Sequence, residues 1–351
     1  MTESETILRQ LSDAIGVPGF EDEVRSVIRG LIAPVADEVR TDVLGNLIAT
    51  RRGRAGFKLM LDAHMDEVGL MVSAIDSGGF LRFATLGGWD VRDLPAHGVT
   101  IVTRQGERVF GIVGTRPIHI TPPEDRTKAI PLDDLYIDIG ARDAAEVAAM
   151  GVRIGDPAVI HYPFRPLGTR QVVGKAFDDR AGCAVAIRVL EALAGVDLNL
   201  DLACCFSVSE EVGARGAPAA AYDIQPDLAL ALEGTMAADT PGVPEARQPA
   251  QLGKGPVITI ADSSVVVPRR VVEALERAAE EEGVTYQYKR PIYGGTNAGP
   301  IQRTRTGVPV GVVSVPCRYL HTPLQLLRLD DFDATVALVT RFVASSRAQL
   351  G

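Results

Sequence analysis

Apolar residues recur at the helical period in ETILRQLSDAIG, at positions 7, 8, 11, 14 and 15, and again in EDEVRSVIRGLIAPV, at 24, 27, 28, 31 and 32. Gly16 marks a stop for the first helix, and acids fill the first turn of the second. A short, polar-flanked strand is expected around Gly45–Thr50, followed by a continuous apolar strand in FKLMLDAH. From about residue 72 to 165 the texture changes. MVSAIDSGGFLRF and TIVTRQGERVFGIVG read as strand–turn–strand, with bends at Ser77-Gly78-Gly79 and Gln105-Gly106. Only DAAEVAAMG carries a clear helical pattern there. This stretch reads as a small β-rich unit set into a larger one.

After residue 170 strands and helices alternate. QVVGKAF precedes the helical DDRAGCAVAIRVLEALAG; LDLACCFSV and DLALALE are strand-length apolar runs. GPVITIA leads to the helix PRRVVEALERAAEEEG, and GVPVGVVSVP to a last helix, DDFDATVALVTRFVASS. Apolar strands alternating with helices predict an α/β fold, a mostly parallel sheet covered on both faces. The expected division is a main domain of residues 1–71 and 166–351, with residues 72–165 as the insert.

Bulk properties narrow the class. The chain has 351 residues, suited to about two domains. A net charge of −9 argues against nucleic-acid partners. No apolar run approaches the roughly 18–20 residues that span a bilayer, which argues against membrane partners. MTESETILRQLSDA lacks the basic-then-apolar order of a secretory signal, so the expected location is cytoplasmic. The four cysteines, Cys183, Cys204, Cys205 and Cys317, form no CxxC pair and read as reduced, buried thiols.

In an open α/β sheet, ligands gather beyond the carboxyl ends of the strands. Five strands here close on acid or imidazole. KLMLDAHMDEVG delivers His64 and Asp66, QVVGKAFDDR delivers Asp178 and Asp179, and LDLACCFSVSEE delivers Glu210 and Glu211. DLALALEG delivers Glu233, and VPVGVVSVPCRYLHTP reaches His321. Any one of these is weak, since a lone strand-end acid commonly caps a turn. Jointly, in a chain with only 5 histidines, they suggest one site. Two imidazoles with three or four carboxylates and no thiolate suit a hard-to-borderline divalent cation. Three carboxylates against two dications leave room for a bridging hydroxide, and such a pair can activate water and polarise a carbonyl. The chemistry also needs a carboxylate off the metal to carry the proton. Adjacent side chains leaving a strand diverge, so Glu210 and Glu211 can hold two different tasks.

HMDEVG, GKAFDDRAGCAV, SVSEEVGARGA, the Glu233 segment with its following DTPG, GGTNAGP and RYLHTP together resemble the M42 family of metalloaminopeptidases, in order and over nearly the whole chain. The resemblance implies an enzyme that removes N-terminal residues from short peptides. Its fold would be a doubly wound peptidase domain with a PDZ-like or β-barrel insertion that makes dimer contacts. Two divalent ions per subunit are implied, zinc or cobalt, with manganese also accepted by such ligands. His64, Asp178, Glu211, Glu233 and His321 would ligate them, with Asp178 bridging and a cis peptide before Asp179. Glu210 would be the general base and Asp66 would orient His64. Gly295, Thr296 and Asn297 would line the substrate site, and the chain would form homo-oligomers from dimer to dodecamer.

Two positions depart from the family pattern, which carries Asp in place of Glu233 and Asp in place of Asn297. Glu233 motivates a same-clan alternative, an amidohydrolase or deacylase acting on N-acyl amino acids. A glycoside hydrolase is a further alternative, but it needs carboxyls about 5–9.5 Å apart across the substrate, which adjacent glutamates fit poorly. Arg180 reads as structural, Trp89 as packing, and His97, His119 and His161 as structural or surface histidines.

Overall fold

The computed structural model of the chain describes residues 2–54, 56–290 and 292–350, the side chains of 346–350 apart. Two amphipathic helices open it, α1 (Glu3–Asp13) and α2 (Asp22–Ile32), followed by β1 (Glu38–Thr41), β2 (Leu47–Arg51) and β3 (Lys58–His64). Six short strands come next: β4 (Gly69–Ile75), β5 (Leu81–Leu86), β6 (Gly98–Val102), β7 (Arg108–Gly114), β8 (Tyr136–Asp138) and, after α3 (Ala144–Ala149), β9 (Pro157–Ile160). The chain then forms β10 (Arg165–Leu167), β11 (Gln171–Gly174), α4 (Phe177–Ala192), β12 (Asp201–Ser207), α5 (Gly216–Ile224) and β13 (Leu228–Met236). It finishes with β14 (Val257–Ile258), α6 (Arg269–Glu282), β15 (Gln287–Tyr288), α7 (Ala298–Gln302), β16 (Val310–Arg318), β17 (Gln325–Arg328) and α8 (Leu329–Leu350). No described helix is long and apolar enough to cross a membrane.

Strands β4 to β9 close into a barrel of order β4-β5-β8-β7-β6-β9. Closure removes the free edges that short strands would otherwise expose. Leu70, Val72, Leu81, Val99, Ile101 and Ile137 fill its interior as a core separate from the main one. The larger sheet runs β1-β2-β12-β3-β13-β16-β17-β11-β10. Along this path β12, β3, β13 and β16 are parallel to one another, and off it the short β14 and β15 also pair in parallel. β1 and β2 join antiparallel at one side and β17, β11 and β10 at the other. The mostly parallel sheet expected from sequence is therefore a mixed one, because apolar alternation is blind to strand direction. The expected GPVITIA strand shrinks to the two residues of β14, and the larger sheet gains β1, β10, β15 and β17, which no apolar alternation marks.

The four parallel strands are apolar almost throughout, as strands covered on both faces must be. α4 packs on β3 and β13 and against α1, α2 and α8, while α5 and α7 pack on each other and on the same central strands. Parallel order has one functional consequence. The carboxyl ends of β12, β3, β13 and β16 all reach the same edge, with Ser207 opposite His64 and Glu233 opposite Ser314 in register.

Candidate metal and active site

His64 is the last residue of β3 and is buried. Its Nδ1–H donates to the Asp66 carbonyl at 3.0 Å, which leaves Nε2 free to face the cleft. Asp66 thus holds the ring chiefly through its backbone, since its carboxylate is farther off at 3.6 Å. That buried carboxylate accepts instead from the backbone N–H groups of Glu210 and Glu211, both at 3.0 Å. The loop carrying the two glutamates is in this way tied to the strand carrying His64.

Asp178 and Asp179 open α4 in non-helical backbone, joined by a cis peptide. Asp179 is fully buried and accepts from the N–H groups of His64 and Gly182, stapling β3 to α4. Asp178 turns toward the cleft and its N–H is held by Gln325. Room for this segment comes from Gly234, where a Cβ would lie 3.0 Å from the Phe177 carbonyl and 3.2 Å from the Asp178 Cα.

The two oxygens of Asp178 face different histidines. Oδ1 is 3.3 Å from His64 Nε2 and Oδ2 is 3.4 Å from His321 Nε2. Glu233 Oε2 approaches His64 Nε2 at 3.8 Å, and Glu211 Oε2 approaches His321 Nε2 at 3.5 Å. Two groups of potential ligand atoms result, His64–Asp178–Glu233 and Asp178–Glu211–His321, sharing Asp178. Most of these separations are long for hydrogen bonds. They are close to the about 3.3 Å between neighbouring ligands of a tetrahedral ion with bonds near 2.0–2.1 Å. Glu211 Oε1 is buried with no hydrogen-bond partner, a costly state that a cation would relieve. The donor set fits a pair of divalent ions, and Glu233 reaches its group despite the extra methylene.

The electrostatics agree. Burial pushes the Glu211 carboxyl up to about 8, with the Asp178 charge adding to it. Burial likewise raises Glu233, whose next contributor is Asp179, and Glu210. Burial disfavours a charged ring at His321, yet the hydrogen bond to Asp178 and the nearby Glu211 outweigh it and bring the ring to about 9. At His64 burial is again outweighed by Asp178 and Asp66. Without cations, Glu210, Glu211 and Glu233 hold protons chiefly because burial disfavours their charged forms, with repulsion among the carboxylates adding to it.

Glu210 stands apart from both groups of ligand atoms, its Oε2 3.9 Å from His64 Nε2. It lines the same cleft of about 540 Å³ as the two histidines, Asp178, Glu211, Glu233, Gly295 and Thr296. Asn297, expected beside substrate, does not line it. Its buried amide donates to Asp62 Oδ2 of β3 at 2.8 Å and to Ser207 Oγ of β12 at 3.0 Å. His97, His119 and His161 lie outside the cleft lining. Arg180 is fully buried, donating to the carbonyls of Leu11, Ala14, Gly16 and Met65 and pairing with Glu67. The four cysteines are free and buried.

Sequence reasoning missed Lys289, Tyr293 and Tyr319, which line the cleft from loops that carry no periodicity. It also missed the turn Gly87–Gly88 of the barrel, where the glycine pair in GGWD was the available signal.

A model of the family described as M42 glutamyl aminopeptidase matches residues 45–338. The chain is 35% identical to the TET aminopeptidase of the marine sediment archaeon Thaumarchaeota archaeon SCGC AB-539-E09, whose crystal structure aligns with a TM-score of 0.94 over 97% of this chain and 96% of that one. It is 32% identical to the lysyl aminopeptidase of Pyrococcus furiosus, over 95% of this chain and 94% of the relative. The TET1 peptidase of Pyrococcus horikoshii, described as assembling into a tetrahedron or a large octahedral shell, is 32% identical with a TM-score of 0.87, covering 97% and 99% of the two chains.

Proposed function

The chain belongs to the M42 glutamyl aminopeptidase family, and on that premise we propose that it is a two-metal aminopeptidase releasing N-terminal residues from short peptides. The observation that carries this reading is the Asp178 carboxylate, with one oxygen toward each histidine and one further acid beside each. His64, Asp178 and Glu233 would hold one cation, and Asp178, Glu211 and His321 the other. Nitrogen and oxygen donors without sulfur suit zinc or cobalt, and also manganese. When bound, such ions supply an acidified water and a Lewis acid for the scissile carbonyl.

The protein's own groups do the rest. Glu210, raised by burial and outside both ligand groups, takes the proton of the attacking water and passes it to the leaving amine. Asp66 keeps Glu210 and Glu211 pointing apart by holding both of their N–H groups. The segment Gly294–Thr296 forms one wall, braced where Thr296 Oγ1 donates to Asp262 and Thr296 N–H to Ser264. Lys289 is the one lysine or arginine among the described residues lining the cleft. Its charge favours an acidic N-terminal side chain over a basic one. The barrel serves as an inserted contact module, and the chain works as a homo-oligomer.

A panel of glutamyl, leucyl and lysyl arylamides, beside an N-acetylated amino acid, tests this. Activity is expected on free-amine substrates, highest for glutamyl, abolished by chelator and restored by zinc or cobalt. Glu210→Gln is expected to lower kcat about 10²–10⁴-fold with both ions retained. Turnover of acyl substrates alone would instead select the deacylase reading that Glu233 motivates. An unchanged rate in Glu210→Gln would remove the proposed base.

A further inference from the structure

The two histidines of the site are oriented by matching devices of different origin. Each donates its Nδ1–H to a backbone carbonyl and turns Nε2 to Asp178. For His64 the carbonyl is that of Asp66, two residues away. For His321 it is that of Gly88, at 2.9 Å, from the turn that leaves β5 of the barrel. The barrel therefore reaches into the site.

The turn leaves little space for a side chain, least at Gly87. Gly87 has φ +81°, a left-handed conformation that favours glycine, and a Cβ there would sit 2.7 Å from Val68 Cγ1 and 3.2 Å from Glu211 Cβ. A Cβ on Gly88 would sit 3.3 Å from His321 Nδ1. Next to it, Trp89 Nε1–H donates to the Gly69 carbonyl at 3.1 Å, which fastens the turn to β4 where the barrel leaves the main domain. His321 needs an external hold. It lies in an irregular turn, at φ +56°, and its side chain is 41% exposed, against 2% for His64.

We propose that Gly87 and Gly88 are positioning residues for the second cation, the barrel turn fixing the ring of His321 and walling Glu211 so that Asp178, Glu211 and His321 form one ligand group. The inference rests on the two-metal reading above. The first group, His64–Asp178–Glu233, shares Asp178, but its histidine is oriented by Asp66 and not by the barrel, so the two cations should respond differently to a change in the turn. Carbonyls and carboxylates that orient a ligating histidine commonly set metal affinity by about 10–100-fold.

The experiment is calorimetric titration of the metal-free full-length protein with zinc, with bound metal counted per chain after dialysis. Wild type, Gly88→Ala, Gly87→Val, and His321→Ala as the reference loss are compared. Gly88→Ala is the milder change, and circular dichroism with a melting curve establishes that each variant is folded. The expected result is two cations in wild type. In Gly88→Ala one cation is held normally and the other roughly tenfold to a hundredfold more weakly. In Gly87→Val one cation is lost, as in His321→Ala. Two cations at unchanged affinity in both glycine variants, beside a clear loss in His321→Ala, would overturn this inference alone. A wild type that takes up no zinc would overturn the two-metal reading and this inference with it.

Discussion

Asn297 shows how one atom exchange redistributes charge inside a fold. The family resemblance implies a carboxylate there, whereas this chain supplies an amide that donates to Asp62. Burial raises Asp62 to about 6, and the Asn297 hydrogen bond is the main influence pulling it back. In Asn297→Asp the donor becomes a second acid, and the pair must share a proton. A carboxyl whose folded pKa lies above its unfolded value binds its proton more tightly when folded, so stability falls as pH rises between the two values. Asn297→Asp is therefore expected to match wild type near pH 5 and to lose about 1–3 kcal/mol by pH 8, at about 1.4 kcal/mol per pKa unit. Urea midpoints at the two pH values measure it; an equal deficit at both would contradict the argument.

At the scale of elements, the site is a set of strand ends held in relation to one another by buried acids. Asp179 ties α4 to β3, and Asp66 ties β3 to the loop after β12. That loop closes on itself through Gly213 and Ala214 N–H to the Glu210 carbonyl, but it turns through left-handed backbone at Ser209 and Ala214 and a positive φ at Gly213, and Asp66 fixes its start. Removing the Asp66 carboxylate leaves two partly buried N–H groups without their acceptor, each at a cost below the about 1–3 kcal/mol of a fully buried one. Asp66→Ala is expected to lower kcat at least tenfold and to weaken metal uptake through Glu211, and Asp66→Asn, which keeps one acceptor, to recover part of both. Steady-state kinetics beside metal counts would show this. An Asp66→Ala enzyme with wild-type kcat would mean that the loop is ordered by something else.

For the whole molecule, the site sets a dependence of stability on cations and pH. In the metal-free protein Glu211 titrates at about 8 and His321 at about 9, both above their ordinary values of 4.5 and 6.5. Each binds its proton more tightly in the folded state, so both contributions shrink as pH rises, Glu211 from about 4.5 to 8 and His321 from about 6.5 to 9. Asp178, which burial alone would raise but which the hydrogen bonds of His321 and His64 hold low, works in the opposite direction only in strong acid. Chelated protein should accordingly show a melting temperature that falls between pH 5 and 9. Saturating zinc should raise it most at the alkaline end, because bound cations replace the protons. Melting curves with and without zinc across this range test the claim, and a zinc effect that shrinks toward pH 9 would refute it.

Much of this was written in the order of residues. Acid or imidazole at the ends of five apolar runs, with small neighbours and no thiolate, determined that a hard-to-borderline cation site was possible, because donor chemistry is carried by residue type alone. Periodicity located α1, α2, α4, α6 and the strands β3, β12, β13 and β16, since burial on one or two faces leaves its mark locally. Strand direction left no such mark, so only the folded chain decided that the sheet is mixed. Tertiary structure also decided that Asn297 faces Asp62 rather than the cleft, that Lys289 stands in it, and that Gly88 meets His321. These are contacts between segments far apart in sequence, fixed by packing geometry that no local pattern records.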